Sequence, residues 1–228
     1  MSRSVSYTHL DVYKRQLINL YSVVRDNVDE LIEDLSKHEV SKEYFLEIRN
    51  IDRTEEYSNL SNVERASRFI YLNRTCFNGM YRVNSKGEFN VPFGNYKNPR
   101  IIDVNNLLNC SDLLKKTEIK CADFSKILNK VQKGDFVYFD PPYVPLNETS
   151  SFTSYTKDGF DIDMQFKLRD VCDELDLRGV KFMLSNSDTK LVSELYANYK
   201  IKKVFASRQI NANADGRGKI TEVLVRNY

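Results

Sequence analysis

The second half of the chain alternates short β-prone runs with helical stretches, and this alternation restricts the possible folds more than any other feature. Helical patterns cover residues 124–131 and 161–177, and the β-prone runs cover residues 119–122, 136–139, 180–184, 201–207 and 220–225. Strands that alternate with helices are typical of an α/β sheet. The last two runs, joined by the flexible residues 214–218, predict a terminal antiparallel hairpin.

The ends of the helices in this half also have sequence signals. Gly179 is well placed to end the helix over 161–177. Asp188 is placed to cap the helix that follows the run at 180–184. We expect the buried face of the helix over 161–177 to carry Met164, Leu168, Val171, Cys172 and Leu175.

The first half is mainly helical, with one irregular segment. Apolar residues recur at helical spacing over residues 17–35 and 62–71, which predicts two amphipathic helices. Between Tyr81 and Pro92, short β-prone runs flank Asn84-Ser85-Lys86-Gly87, which predicts a hairpin with a polar tip. A further helix is predicted to begin near Asp103.

The composition is that of a globular chain with one main core. Among 228 residues, 41% are hydrophobic and 29% are charged. No apolar run approaches the roughly 20 residues that cross a bilayer, and the N-terminus has no signal pattern. We therefore expect a cytoplasmic protein with no membrane partner, and a monomer in solution.

Cysteine and histidine are arranged unlike the ligands of a metal site. The four cysteines form no CxxC pair, and the two histidines lie far apart in the sequence. These spacings argue against a zinc site, a disulfide framework and a Ser-His-Asp triad. We expect no metal, and chemistry that uses carboxylates, aromatic rings and backbone groups.

Positive charge is concentrated in the middle of the chain, although the net charge is only +2. Between residues 74 and 100, a single acidic residue, Glu88, accompanies Arg74, Arg82, Lys86, Lys97 and Arg100. A basic segment of this kind can meet nucleic-acid phosphates. A solvated surface that happens to be basic is the alternative.

The most specific motif is Asp140-Pro141-Pro142-Tyr143, which directly follows the apolar run 136–139. In open α/β sheets, ligands bind beyond the carboxyl ends of the strands, so the motif stands where a reacting group belongs. Two prolines restrict the backbone and remove two N–H donors, which leaves carbonyl oxygens free to accept hydrogen bonds. The loop thus combines a carboxylate, fixed carbonyls and an aromatic ring.

This combination suits an exocyclic amine on a flat base. Asp140 and the Pro141 carbonyl can accept the two N–H groups of the amine, while Tyr143 stacks on the ring. Such acceptors would localise the nitrogen lone pair toward an electrophilic methyl group. The alternative is a tight turn in which Asp140 caps a helix and Tyr143 packs in the core.

Together with longer matches, this motif resembles the Dam-type, or D12 class, family of DNA adenine N6-methyltransferases over nearly all of residues 17–228. The Asp140–Tyr143 motif corresponds to the catalytic motif of that family. Residues 69–84 and 86–96 resemble its target-recognition region. Shorter matches are Asp123-Phe124, residues 184–188 and residues 208–211.

The resemblance implies a function and its partners. The family transfers a methyl group from S-adenosylmethionine to the N6 amine of adenine in double-stranded DNA, after the base is flipped out of the helix. Asp140, Pro141, Pro142 and Tyr143 would hold the flipped adenine. Asp123 and Phe124 would border the adenine ring of the cofactor, which Asp140 would also contact.

The predicted hairpin would enter the DNA. Its polar tip can reach groove edges and phosphates, and Tyr81 or Phe89 can wedge between bases. The site implied by the resemblance is GATC or a related short sequence, although Asn95 stands where some relatives have arginine. The DNA-binding residues would be Arg74, Asn78, Tyr81, Arg82, Asn84, Lys86, Phe89, Asn95 and Lys97.

The start of the chain departs from the family, whose members open with a strand and a glycine-containing loop of the form FxGxG. Residues 1–16 contain no glycine and show no strand-loop-helix pattern, so we interpret them as a non-native leader; a natural extension is the alternative. We expect a Rossmann-like methyltransferase sheet from residues 17–42 and 118–228, without its first strand. A mostly helical target-recognition insertion would span residues 43–117.

Two rival functions follow from these departures. Without the glycine loop, the chain would be a catalytically dead DNA-binding fragment that lacks a competent cofactor site. Within enzymes, the target could be a different amine, such as cytosine N4 or a protein amide. Aspartate before Pro141-Pro142-Tyr143 favours adenine.

Overall fold

The computed structural model describes residues 4–8, 12–146, 160–207 and 219–228. The chain forms two compact units, residues 1–123 and residues 124–228. Helices dominate the first unit, and a mixed sheet with helices forms the second. The predicted α/β class is therefore confirmed. None of the described helices is long and apolar enough to cross a membrane.

The described part of the first unit contains six α-helices. They are α1 (Val12–Asp26), α2 (Val28–Leu35), α3 (Lys42–Asn50), α4 (Glu56–Asn59), α5 (Asn62–Thr75) and α6 (Val104–Leu114). The single helix predicted over 17–35 is two helices, because the backbone of Asn27 is non-helical. α5 begins at a capping box, in which Ser61 and Glu64 satisfy each other's backbone N–H groups.

The first core of this unit joins α1 and α2 to α5. Val23, Val24, Leu31 and Leu35 pack with Ala66, and partly buried residues on and before α6 cover the cluster. Residues 17–42 thus share a core with helices that the sequence assigned to the insertion at 43–117. The sequence had placed residues 17–42 with the second half of the chain instead.

The second core of this unit lies under the predicted hairpin. Phe45 of α3 and Tyr71 of α5 pack with Phe89 and Val91, all at most 1% exposed. The hairpin is therefore packed on two helices, α3 and α5.

A parallel pair of strands completes the first unit. β1 (Ser4–Thr8) pairs with β2 (Thr117–Cys121), with Ser4 opposite Thr117 and Thr8 opposite Cys121. The prediction that residues 1–16 have no strand-loop-helix pattern is wrong, since a strand and the start of α1 lie there. Val5, Tyr7 and Thr8 have β-prone side chains, but the partner of β1 is remote in sequence and gives no local signal.

In the second unit, four strands form one sheet in the order β3-β4-β6-β5. β3 and β4 are parallel, and β6 is antiparallel to both of its neighbours, which confirms the terminal hairpin. Residues 214–218 and the family match at 208–211 lie outside the described residues. The bounds are β3 (Phe136–Phe139), β4 (Lys181–Ser187), β5 (Lys200–Ser207) and β6 (Lys219–Arg226).

Two α-helices accompany this sheet, α7 (Ile162–Leu177) and α8 (Lys190–Leu195). The helix predicted over 124–131 is a 3-10 helix over Phe124–Asn129. Gly179 follows α7 with φ +69°, as a residue that ends a helix should. α7 buries Leu168, Val171, Cys172 and Leu175 as predicted, but it buries Gln165 completely and Met164 only in part.

The residue that caps α8 is Thr189, one position after the predicted Asp188. The Thr189 hydroxyl accepts the Val192 N–H at 3.3 Å and caps the helix. Asp188 instead pairs with Lys203 Nζ at 2.7 Å. Both aspartate and threonine can cap helices, so residue type alone did not distinguish Asp188 from Thr189.

Candidate active site and candidate nucleic-acid interface

The Asp140–Tyr143 loop follows β3 at the carboxyl end of the parallel β3–β4 pair. Phe139 pairs with Leu184, so Ser185 and Asn186 of β4 lie beside the start of the loop. The Ser185 hydroxyl donates to Asp140 Oδ1 at 2.9 Å. The side chain of Asp140 is exposed, and it caps none of the described helices. The carboxylate is thus held on one side and open to solvent on the other.

Ser185 connects three side chains of the site. It is 4% exposed and accepts a hydrogen bond from the Tyr138 hydroxyl at 3.1 Å. It also hydrogen-bonds to Tyr143, which is partly buried. Burial, with a smaller contribution from the Asp140 carboxylate, raises the pKa of Tyr143, and the Ser185 hydrogen bond offsets part of that rise. The Tyr143 hydroxyl is therefore neutral at physiological pH.

Two buried amides hold the other side of the loop. Asn186 Oδ1 accepts the Val144 N–H at 2.9 Å, and Gln165 Nε2 donates to the Pro142 carbonyl at 3.1 Å. Both amide side chains are fully buried. Gln165 is absent from the site residues that the sequence predicted, because a glutamine in a helical pattern carries no signal of a partner in a distant loop.

The predicted cofactor residues Asp123 and Phe124 follow β2 after Ala122 and are both partly buried. The Phe124 ring lies 5.9 Å from the ring of Phe160, centroid to centroid. Lys167 Nζ lies 5.3 Å from the Phe124 centroid. Phe124 is therefore a half-covered aromatic surface beside a cation. Among the described residues, no cluster of histidine, cysteine and carboxylate side chains could hold a metal ion.

The predicted hairpin is present in the first unit and is short. Val83 pairs with Phe89 in an antiparallel bridge, and the Gly87 N–H donates to the Asn84 carbonyl at 3.0 Å across the tip. Asn84 Oδ1 accepts from the N–H groups of Lys86 and Glu88, at 2.9 and 3.0 Å. The Asn84 side chain thus shapes the turn, in addition to any role toward DNA.

Phe89 does not fit its predicted role as a wedge between bases. It is 1% exposed and belongs to the core beneath the hairpin. Tyr81 is partly buried, stacks on Phe69 with ring centroids 4.9 Å apart and hydrogen-bonds to Gln16. Both rings pack beneath the hairpin. Burying an aromatic ring in the core is more favourable than leaving it exposed to solvent.

The residues that fasten the hairpin to the helices were not predicted from the sequence. Asp52 Oδ2 accepts the Phe89 N–H at 2.7 Å, and Arg53 donates to the Phe89 carbonyl at 2.8 Å. Asp52 also pairs with Arg68 at 2.9 Å, with both side chains 8% exposed. A buried, satisfied ion pair therefore fixes the strand that carries Phe89.

Two neighbouring loops of this unit each present an exposed aromatic ring, Phe77 and Tyr96. The Phe77 N–H donates to the Pro92 carbonyl at 2.9 Å, and the Gly94 N–H donates to the Thr75 carbonyl at 2.8 Å, which ties the loops together. A Cβ atom at Gly94 would lie 2.6 Å from the Cys76 carbonyl oxygen, so this close approach requires glycine. We call residues 77–80 and 94–97 the paired loops.

The paired loops carry predicted residues and two that the prediction omitted. Asn78 and Asn95 are exposed, and both have φ +54°. Phe77 and Tyr96, at 48% and 42% exposure, were not among the predicted residues. Exposure depends on packing, so the sequence could not distinguish these rings from the buried Phe89 and Tyr81.

The predicted basic residues Arg74, Arg82, Lys86 and Lys97 are exposed. Arg82 Nε donates to Asn90 Oδ1 at 2.7 Å, which orients its guanidinium group along the hairpin. The hairpin and the paired loops therefore combine exposed cations, asparagine amides and aromatic rings, the side chains that contact phosphates, base edges and base faces.

Comparison with known proteins gives a consistent family. Residues 11–210 match the family described as D12 class N6 adenine-specific DNA methyltransferase, a match that begins before Leu17. The type II methyltransferase M1.LlaDCHI of Lactococcus lactis subsp. cremoris is 50% identical over 220 residues, covering 95% of this chain and 78% of that protein.

Two further relatives come from other organisms. The type II methyltransferase M.MjaIII of Methanocaldococcus jannaschii is 48% identical over 223 residues, covering 93% of this chain and 77% of that protein. The DNA adenine methylase of Escherichia coli K12 is 33% identical over 208 residues, covering 91% of this chain and 74% of that protein.

Proposed function

The chain belongs to the D12 class of N6 adenine-specific DNA methyltransferases, and we propose that it methylates adenine in double-stranded DNA with S-adenosylmethionine as the methyl donor. The observation that carries the proposal is the Asp140–Tyr143 loop. It presents an exposed carboxylate, oriented by Ser185, at the carboxyl end of a parallel strand pair. We also propose that the mixed sheet of residues 124–228 is part of a Rossmann-like methyltransferase sheet.

The loop would act on the amine of a flipped adenine. Asp140 and the Pro141 carbonyl would accept the two N6 hydrogens, so that the nitrogen lone pair is no longer delocalised into the ring. Tyr143 would stack on the base and keep it outside the helix. Transfer would break the bond between the methyl group and the sulfur of the cofactor, and the sulfur would keep the electron pair. The methylated nitrogen would then lose one proton, and the open side of Asp140 allows that proton to pass to water.

The residues after β2 suit the nucleoside end of the cofactor. S-adenosylmethionine supplies an electrophilic methyl group, and its adenine needs a flat apolar contact. Phe124 offers such a surface, and the adjacent Asp123 carboxylate can accept hydrogen bonds from amino or hydroxyl groups. Residues 9–11, between β1 and α1, include no glycine, the residue type that allows the closest approach of backbone to a ligand.

DNA would lie against the hairpin and the paired loops. Lys86 and Lys97 would contact phosphates, while Asn78 and Asn95 would reach base edges. The exposed Phe77 and Tyr96 replace Phe89 and Tyr81 as the rings available to stack on bases. Because its substrate would be cellular DNA, we propose that the protein is located in the cytoplasm. We also propose that it acts as a monomer.

The proposal is tested by separating methyl transfer from DNA binding. Asp140→Ala removes one acceptor for the adenine amine and should lower single-turnover transfer on the order of 100- to 1000-fold, with DNA affinity retained. Tyr143→Ala should weaken capture of the flipped base, since stacking contributes about 1–3 kcal/mol. Labelled cofactor, unmethylated plasmid DNA and nucleoside digestion give the product.

The same experiment decides between the rival functions. Label found only in methylcytosine or in protein would exclude adenine as the target. DNA binding without transfer, together with no calorimetric binding of S-adenosylmethionine, would support the catalytically dead fragment. Transfer by Asp140→Ala at the parental rate would refute the role of the loop.

A further inference from the structure

The amides of Gln165 and Asn186 contact both peptide groups that flank Tyr143. The Pro142 carbonyl belongs to the peptide group before Tyr143, and the Val144 N–H belongs to the one after it. Gln165 binds the first at 3.1 Å, and Asn186 binds the second at 2.9 Å. The backbone of Tyr143 is thus held from both directions by side chains of α7 and β4.

The two amides also orient each other. Asn186 Nδ2 donates to Gln165 Oε1 at 3.5 Å, and Asn186 Oδ1 additionally accepts the N–H of Ser187 at 2.9 Å. A carbonyl can only accept and an N–H can only donate, so each amide has one permitted orientation. Reversing either amide would leave like atoms facing each other at the loop. The chain of hydrogen bonds therefore has a single arrangement.

Burying two amide side chains costs free energy that their hydrogen bonds must offset. Position 165 lies on the same face of α7 as the buried Leu168 and Cys172, where an apolar side chain of similar size would have no polar atoms to desolvate. Pro141 and Pro142 lack N–H groups, so few backbone atoms of this loop can be fixed by hydrogen bonds. The amides use two of the groups that are available.

We propose that Gln165 and Asn186 are positioning residues for the methyl-transfer reaction, which set the placement of Tyr143 and, through it, of the flipped adenine. This proposal rests on the proposed function of the Asp140–Tyr143 loop. It is distinct from the roles of Asp140 and Tyr143 themselves, because neither amide needs to touch the substrate.

The test compares Gln165→Met with Asn227→Leu in the full chain. Asn227 is a matched control, since its amide holds the backbone of Phe182 and Val180 at the opposite end of β4. Gln165→Met should lower the single-turnover rate constant about 10- to 100-fold, while the active fraction given by the amplitude stays constant. Asn227→Leu should lower stability and leave the rate constant unchanged.

A double variant and an exchange measurement make the test specific. If Gln165 acts through Tyr143, Gln165→Met should have little further effect in a Tyr143→Ala background. In the absence of DNA and cofactor, Asn186→Leu should speed amide hydrogen exchange of Val144 at least about tenfold relative to the amides paired between β4 and β6. This second readout does not depend on activity.

The outcomes separate the two proposals. An unchanged rate constant in Gln165→Met, or equal protection of Val144 in Asn186→Leu, overturns the positioning role, even if Asp140→Ala abolishes transfer. If Asp140→Ala and Tyr143→Ala both transfer methyl at the parental rate, the proposed function of the loop fails instead. A loss of amplitude without a change in rate constant would show that Gln165 only supports folding.

Discussion

The backbone N–H of Phe89 donates to the carboxylate of Asp52 at 2.7 Å, which joins the hairpin to a residue 37 positions earlier in the chain. Asp52 also pairs with the buried Arg68, and Arg53 takes the carbonyl of Phe89. Both backbone groups of one hairpin residue are therefore held by consecutive side chains. The geometry of the hairpin depends on this attachment as well as on its own turn.

We expect Asp52→Ala to destabilise the protein by about 3–5 kcal/mol. The substitution leaves the Arg68 guanidinium buried without its counter-charge, and breaking one side of a buried pair has a cost of that order. Urea unfolding measures the change. DNA affinity should fall as well, because the Phe89 strand loses its attachment.

Asp112→Ala is the comparison for Asp52→Ala. Asp112 pairs with Lys115 on the surface, where the two side chains are 76% and 60% exposed. Exposed pairs contribute about 0–1 kcal/mol, so this variant should unfold at nearly the parental urea concentration. Equal effects of the two substitutions would contradict the importance of the Asp52 attachment.

A second prediction concerns the pH dependence of stability through His38. The imidazole stacks on Tyr71 with ring centroids 4.4 Å apart, and its nitrogens hydrogen-bond to the hydroxyls of Tyr44 and Ser67. Burial lowers the pKa of His38 below its ordinary value of 6.5, although Asp34 opposes part of the shift. The folded protein therefore binds this proton less readily than the unfolded chain does.

Proton linkage determines the direction in which stability changes with pH. Above pH 6.5 the contribution of His38 is constant, and stability falls as the pH drops from 6.5 toward the lowered pKa of the folded state. Urea unfolding between pH 7.5 and pH 5.5, a range of about two units around the usual histidine value, should show this loss. In the His38→Gln variant, this loss of stability should be smaller than in the parent. An equal loss of stability in the variant and the parent would show that other titratable groups cause it.

A third prediction separates the exposed rings from the buried ones. Phe77→Ala and Tyr96→Ala should each weaken DNA binding by about 1–3 kcal/mol, the usual contribution of a ring that stacks on a base. Stability should change little, since both side chains are 42–48% exposed. Leu113→Ala, which removes another exposed apolar side chain of the same unit, should leave the DNA affinity unchanged. Fluorescence anisotropy at fixed salt is the measurement.

The sequence predicted the parts of the fold that rest on local patterns. The bounds of β3 agree with the predicted run 136–139, and the two terminal β-prone runs do form an antiparallel pair. β1 escaped prediction because parallel pairing to β2 joins segments that are distant in the chain. The break between α1 and α2 at Asn27 was not predicted, because apolar residues continue at helical spacing on both sides of it.

The site was predictable where motif and position coincide, as at Asp140. The structure adds the groups that hold the motif, whose partners lie far away in sequence. Gln165 binds a carbonyl 23 positions earlier, and Asn186 binds an N–H 42 positions earlier. Glutamine and asparagine are usually exposed, so the residue type does not predict a distant hydrogen-bond partner. Only the packed structure shows which of these side chains are buried.

The last prediction concerns Ser185, which holds the carboxylate of Asp140. Ser185→Ala removes the donor to Asp140 Oδ1 and the acceptor for the Tyr138 hydroxyl. Asp140 and Tyr138 are both exposed, so water can replace the lost partner and the stability cost should be about 1 kcal/mol.

The effect of Ser185→Ala on the reaction should be larger than its effect on stability. A freely rotating Asp140 would no longer present its oxygens to the adenine amine in one geometry, and we expect single-turnover transfer to fall on the order of tenfold. The pKa of Tyr143 should rise further, because the hydrogen bond between Tyr143 and Ser185 lowers that pKa in the parent. Absorbance titration against a Tyr143→Phe background identifies that group.

Ser111→Ala is the control for Ser185→Ala, since it removes another buried serine hydroxyl, which donates to the Arg25 carbonyl in the first unit. It should lower stability by a similar amount and leave both the transfer rate and the pKa of Tyr143 unchanged. If the two serine variants transfer methyl equally fast, Ser185 supports the fold of β4 and does not orient Asp140. If only Ser185→Ala is slow and shifts Tyr143, the hydroxyl controls the carboxylate on which the reaction depends.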